Sequence, residues 1–138
     1  MLKSEPDRAA RVLIVDDDPA LRDMIRLILE LAGFEVMEAV HGEDALRILG
    51  GMPEVPEVIV TDLMMPVMGG RELVDRLRQD PRTASVPILV LSANANPHEG
   101  LRGASRPNAL MRKPFLPKAL VDLVRSLEPA VTSIGESK

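Results

Sequence analysis

Three short apolar runs constrain this chain more than anything else in it: Val12 to Val15, Val58 to Val60 and Ile88 to Leu91. They are rich in Val and Ile and do not alternate with polar residues, the pattern of strands buried on both faces of a parallel sheet. Each is strand-length and far short of the about 20 residues that a membrane-spanning helix needs. Between them the periodicity becomes helical. Leu21, Ile25, Ile28, Leu29 and Ala32 make one apolar stripe, with Arg22, Asp23, Arg26 and Glu30 mostly opposite. Asp18 can cap the free amides of that helix, Pro19 suits its first position, and Gly33 ends it.

The rest of the chain continues the alternation. Glu35 to Val40 reads as a strand nearer an edge, and Gly42 to Leu49 as a short helix before a loop holding Gly50, Gly51, Pro53 and Pro56. Gly69-Gly70 opens a helix carrying Leu73, Val74 and Leu77 that finishes before Pro81. Ala109 to Arg112 is a weak fifth strand, and Lys118 to Leu127 a closing helix. Pro97, Gly100, Gly103 and Pro107 crowd the segment before the fifth strand, so the fourth helix is expected to be short or irregular. The order predicts an α/β fold with a doubly wound five-stranded parallel sheet. Residues 1–10 and 129–138 read as tails around a domain at 11–128.

Composition narrows the chemistry. The 138 residues contain no Cys, Trp or Tyr, and the only aromatic residues are two Phe, Phe34 and Phe115. Zero Cys removes disulfides, thiolate nucleophiles and Cys-ligated metals, and favours the cytoplasm. A net charge of −4 with almost no aromatic residues argues against direct nucleic-acid binding. Met1 to Arg11 holds Lys3, Glu5, Asp7, Arg8 and Arg11 and no apolar stretch of signal-peptide length, so no membrane association is expected.

The unusual polar residues all fall at strand ends, where open parallel sheets bind their ligands. Asp16, Asp17 and Asp18 follow the first strand, Asp62 the third, Ser92 the fourth and Lys113 the fifth. Carboxylates gathered in this way repel one another unless protonated or bridged by a cation. Oxygen-only ligands favour a hard ion such as Mg²⁺, with Mn²⁺ as an alternative. A hydroxyl and a Lys beside that ion suit phosphoryl chemistry, in which an Asp can act as nucleophile and form an acyl phosphate. Read singly, these residues have plainer explanations: the Asp run a helix cap, Ser92 a loop hydroxyl, Lys113 a surface charge. Met64, Met65 and Met68 read as packing, and His41 and His98 as solvent-facing without a role.

Four segments together resemble the receiver domain of response regulators in two-component signalling. They are Val12-Leu-Ile-Val-Asp-Asp-Asp-Pro19, Val58-Ile-Val-Thr-Asp-Leu-Met-Met-Pro66 with Gly69-Gly70, Leu91-Ser-Ala93, and Lys113-Pro-Phe115. The resemblance covers Arg11 to Leu127 and implies a flavodoxin-like (βα)5 sheet in strand order 2-1-3-4-5. It makes Asp62 the acceptor of a phosphoryl group from a histidine kinase or histidine phosphotransfer protein. Mg²⁺ would be held by Asp17 directly, by Asp16 mainly through water, by Asp62, and by the backbone carbonyl of Met64. Ser92 and Lys113 would bind phosphoryl oxygens, Ala93 would keep the site accessible, and Asp18 would be the cap. The Lys113-Pro114 bond resembles one that is cis in the family.

Two departures from the family pattern stand out. Leu110 occupies the position of the aromatic switch residue, and Arg106-Pro107 replaces the Gly-Ala before the fifth strand, so output to the downstream target is expected to differ. Met64, two residues after Asp62, stands where the family sets the lifetime of the acyl phosphate, and an apolar side chain there implies slow hydrolysis. The expected unit carries no effector domain, either as a stand-alone receiver or as a segment of a longer regulator or hybrid kinase. Two other functions fit parts of the pattern: a degenerate receiver that binds partners without phosphorylation, and an aspartyl-phosphate phosphatase of the haloacid dehalogenase type, through the Asp-x-Asp in Asp16-Asp-Asp18.

Overall fold

The structure is a computed structural model that describes residues 9–93 and 106–129. Its elements run β1 (Arg11–Val15), α1 (Pro19–Leu31), β2 (Glu35–Ala39), α2 (Gly42–Gly50), β3 (Val58–Asp62), α3 (Gly70–Gln79), β4 (Ile88–Ser92), β5 (Ala109–Arg112) and α4 (Pro117–Leu127). The five strands are parallel and lie in the order β2-β1-β3-β4-β5, the flavodoxin-like arrangement. The short or irregular fourth helix expected before β5 and most of both tails lie outside the described residues, as does His98.

Period-two side chains split the apolar strands between two cores. Leu13, Val15, Ile59, Ile88 and Val90 pack with Leu49 of α2 and Leu73, Val74 and Leu77 of α3. Val12, Ile14, Val58, Val60, Leu89 and Leu91 pack with Ile25 and Leu29 of α1 and Leu120 and Val124 of α4. Strands clothed on both faces need no polar alternation, which is why the runs read as continuous. β3 and β4 are buried along their whole length, whereas the edge strand β5 is only partly covered.

Local chemistry sets the ends of the helices. The Asp18 carboxylate accepts from the amides of Ala20 (3.0 Å) and Leu21 (3.4 Å), with Pro19 at the start of α1. Gly33, at φ 100°, turns the chain out of α1 in a conformation glycine adopts without strain. α1 has no basic residue in its last turn, and Arg125 of α4 fills that role by donating to the Ala32 carbonyl at 2.7 Å beside the Phe34 ring. His41 is half-buried and caps α2, where its Nδ1 accepts from the Asp44 amide at 3.1 Å. This corrects the reading of His41 as a solvent-facing residue without a role, because an imidazole nitrogen can cap as a carboxylate does.

Arginines bind the amino ends of the strands together. Arg78 of α3 donates to the carbonyls of Ala84 (3.1 Å) and Val86 (2.9 Å) before β4, and to Arg106 O (3.3 Å) and Asn108 Oδ1 (2.7 Å) before β5. Arg82 joins the Leu49 and Met52 carbonyls, and Arg11 those of Glu54 and Val55. The order of the sheet reverses between β1 and β3, so the carboxyl ends of those two strands flank the crevice where such folds bind ligands.

Candidate phosphoacceptor and cation site

Asp16 continues directly from β1 and Asp62 is the last residue of β3, so the register Val15↔Thr61 sets the two carboxylates side by side at the switch point. Carboxylate oxygens of Asp16, Asp17 and Asp62 lie within 4.8 Å of one another. Asp16 and Asp62 are buried and Asp17 is exposed, so the cluster opens to solvent on one side. Lys113, just beyond β5, reaches over it with Nζ 2.5 Å from Asp62 Oδ1 and 3.8 Å from Asp16 Oδ2. Among the described residues, the Lys113 ammonium pairs with two of the three carboxylates.

Backbone contacts position each group. The Asp18 amide donates to Asp16 Oδ1 at 2.8 Å, and the Met64 amide to Asp62 Oδ2 at 3.2 Å. The Lys113 amide donates to the Ser92 carbonyl at 2.9 Å, tying the ends of β4 and β5 together. The Lys113–Pro114 peptide bond is cis. Ser92 is buried one residue beyond Leu91, the register partner of Asp62, and Ala93 next to it is exposed. Gly70 explains why the loop after β3 can fold so tightly. A Cβ there would overlap the Asp62 carbonyl oxygen and lie 2.9 Å from Leu63 Cα, while the Gly70 amide donates to the Leu63 carbonyl at 2.8 Å.

Burial is the main cause that pushes the Asp16 carboxyl above its ordinary value; the Asp18 amide opposes it, Asp62 and Asp17 add to it, and Lys113 counters it. Asp16 Oδ2 is buried and has no hydrogen-bond partner among the described residues, with Lys113 Nζ at 3.8 Å. An orphaned buried carboxylate oxygen among carboxylate donors, with neither His nor Cys in the cluster among the described residues, fits a hard divalent cation.

Leu110 sits apart from these groups. It pairs in register with Val90 and packs, half-buried, against the core under α2 and α3. Of the three methionines read as packing, Met68 is buried and Met65 partly so, but Met64 is 74% exposed, a correction that follows from its place on the open side of the loop. Asp18 is the cap, as read from Asp18-Pro19. Thr61 joins the site without a sequence motif to mark it beyond a hydroxyl inside an otherwise apolar strand: its buried hydroxyl donates to the Asp62 carbonyl at 2.9 Å. Arg22, on the polar side of the α1 stripe, also reaches the site and donates to the Asp16 carbonyl at 2.8 Å.

The chain is 36% identical over 118 residues to the DNA-binding dual master transcriptional regulator RpaA of Synechocystis, covering 85% of this chain and 48% of RpaA. It spans about half the length of the first curated relatives it matches. Chemotaxis response regulator CheY4 of Vibrio cholerae superposes with a TM-score of 0.79 at 33% identity, covering 87% of this chain and 99% of CheY4. Response regulator TrrA of Thermotoga maritima, solved in complex with Mg(2+)-BeF, superposes with a TM-score of 0.75 at 26% identity, covering 86% and 98%. With the family described as response regulator receiver domain matching residues 12–125, the chain belongs to the receiver domains of two-component signalling.

Proposed function

We propose that this receiver accepts a phosphoryl group on Asp62 in a Mg²⁺-dependent reaction and changes its partner binding as a result. The observation that carries this reading is the Lys113 ammonium 2.5 Å from Asp62 inside a cluster of three carboxylates at the switch point of the sheet. Asp16, Asp17, Asp62 and the Met64 carbonyl would hold the cation. When bound, it neutralises charge on the oxygens of the transferring group.

The Asp62 carboxylate is the nucleophile: its oxygen forms the bond to phosphorus as the bond from phosphorus to the donor's histidine nitrogen breaks, leaving an acyl phosphate. Lys113 pairs with a phosphoryl oxygen, Ser92 hydrogen-bonds another, and exposed Ala93 leaves the approach open. The chain is thus a phosphoacceptor that assists its own phosphorylation more than an enzyme turning over a separate substrate. A phosphatase of the haloacid dehalogenase type would need both ends of Asp16-Asp-Asp18, and Asp18 is committed to capping α1.

The phosphodonor is a histidine kinase or histidine phosphotransfer protein, and the receiver unit spans residues 11–128 between two tails. No described helix is long and apolar enough to cross a membrane, and with a Cys-free sequence the reading is a cytoplasmic protein. The DNA binding in RpaA's name belongs to a protein of which this chain matches 48%.

Labelling with acetyl phosphate tests the proposal. Acyl phosphate is expected with Mg²⁺ and lost with chelator or in Asp62→Ala; labelling that survives the substitution would reject the assignment. Partner binding that ignores phosphorylation would favour the degenerate receiver. Met64 offers no hydrogen bond to an attacking water, so Met64→Asn is expected to shorten the acyl-phosphate lifetime, and equal decay rates would refute that.

A further inference from the structure

The loop from Asp16 to Asp18 is held from outside by a charged network that reaches across to β2. Arg22, on the first turns of α1, is half-buried and points its guanidinium both ways: NH1 donates to the Asp16 carbonyl at 2.8 Å and Nε pairs with Glu38 Oε1 at 2.9 Å. The other Glu38 oxygen pairs with Arg26, so one carboxylate of β2 is clamped between two arginines of α1. The Arg22 amide donates to the Asp18 carbonyl at 2.9 Å, and the Asp16 amide to the Ala39 carbonyl of β2 at 3.1 Å. Both peptide groups of Asp16 and the carbonyl of Asp18 are therefore fixed by this corner of the molecule.

Resting on the cation site proposed above, we infer that Arg22 is a positioning residue for that site: anchored by Glu38, it fixes the Asp16 carbonyl and so the direction in which Asp16 and Asp17 present their carboxylates. Mg²⁺ demands close to ideal octahedral geometry, so its affinity responds to small misplacement of ligands. A guanidinium beside a cation site would, through charge alone, oppose the ion. Glu38 offsets that charge, and the planar fork holds two acceptors in divergent directions, which the single ammonium of a Lys cannot do. Charge and position therefore predict opposite signs when Arg22 is removed.

Mg²⁺ titration by calorimetry on the full chain separates them, using wild type, Arg22→Lys, Arg22→Ala, Glu38→Gln and Asp17→Asn, each checked for a cooperative thermal transition without metal. Positioning predicts about 10-fold weaker Mg²⁺ binding or more in Arg22→Ala, on the scale of lost outer-shell support. It predicts a comparable loss in Arg22→Lys despite the retained charge, and a smaller one in Glu38→Gln. Tighter binding in Arg22→Ala, or wild-type binding in Arg22→Lys, would overturn the inference. Equal Mg²⁺ binding in wild type and Asp17→Asn would instead overturn the cation site itself, and this inference with it. Arg22→Lys and Glu38→Gln keep the decision open to measurement should the Ala variant not fold.

Discussion

The two ends of the sheet treat charge in opposite ways. At the amino end, Arg11, Arg78 and Arg82 direct their guanidinium groups at main-chain carbonyls, and where the Arg11 Nε lacks a hydrogen bond it faces Glu57 at 3.6 Å. At the carboxyl end, among the described residues, three carboxylates cluster, the Lys113 ammonium pairs with two of them, and Asp16 Oδ2 has no hydrogen bond. Backbone strain follows the same division. Val67, a β-branched residue in the loop between Asp62 and Gly70, holds a φ of 66°, which such side chains rarely adopt. Fixed partners at one end hold the strands in register; unmet groups at the other are left for a ligand to satisfy.

If that division is right, substitutions at the two ends separate stability from binding. Arg78→Ala takes the guanidinium from the Ala84 and Val86 carbonyls and leaves Asn108 Oδ1 only the Ile88 amide, and it is expected to cost about 3 kcal/mol in chemical denaturation. Its Mg²⁺ affinity should stay at the wild-type value, and a large loss would show that the ends are coupled. Gly70→Ala forces the added methyl into the Asp62 carbonyl, with an expected cost of about 2 kcal/mol and slower labelling by acetyl phosphate. A variant labelled as fast as wild type would show that the loop yields without moving Asp62.

Much of this contrast could be read from the sequence, for identifiable reasons. Val12 to Val15, Val58 to Val60 and Ile88 to Leu91 are contiguous and buried on both faces, so the strands were visible without tertiary knowledge. Asp16, Asp62, Ser92 and Lys113 were legible because each stands at the end of its strand. Arg22 and Glu38 were not, being sixteen positions apart on two elements that meet only through folding. The cap made by His41 and the left-handed backbone at Val67 depend on how loops close, which periodicity does not encode.

Val67→Gly removes the side chain that the left-handed backbone strains. Glycine at that backbone angle relieves the steric penalty, so a gain of about 1 kcal/mol is expected in denaturation midpoints; no gain would remove strain from the account. The smallest effect is a slope with pH. Burial raises the Asp16 carboxyl above its ordinary value, so between that value and the raised one the folded chain binds more protons than the unfolded chain. Stability of the metal-free protein should therefore fall as pH rises through that window, and Asp16→Asn should flatten the fall. A slope unchanged in Asp16→Asn would assign it to another group.

Thermal unfolding of the wild-type chain without metal, with Mg²⁺, and with Mg²⁺ and beryllofluoride decides whether the carboxyl end of the sheet waits for a ligand. Groups left unmet at the carboxyl end predict a midpoint that rises with Mg²⁺ and rises again with beryllofluoride, the second rise absent in Asp62→Ala. A midpoint that moves with neither would contradict the account.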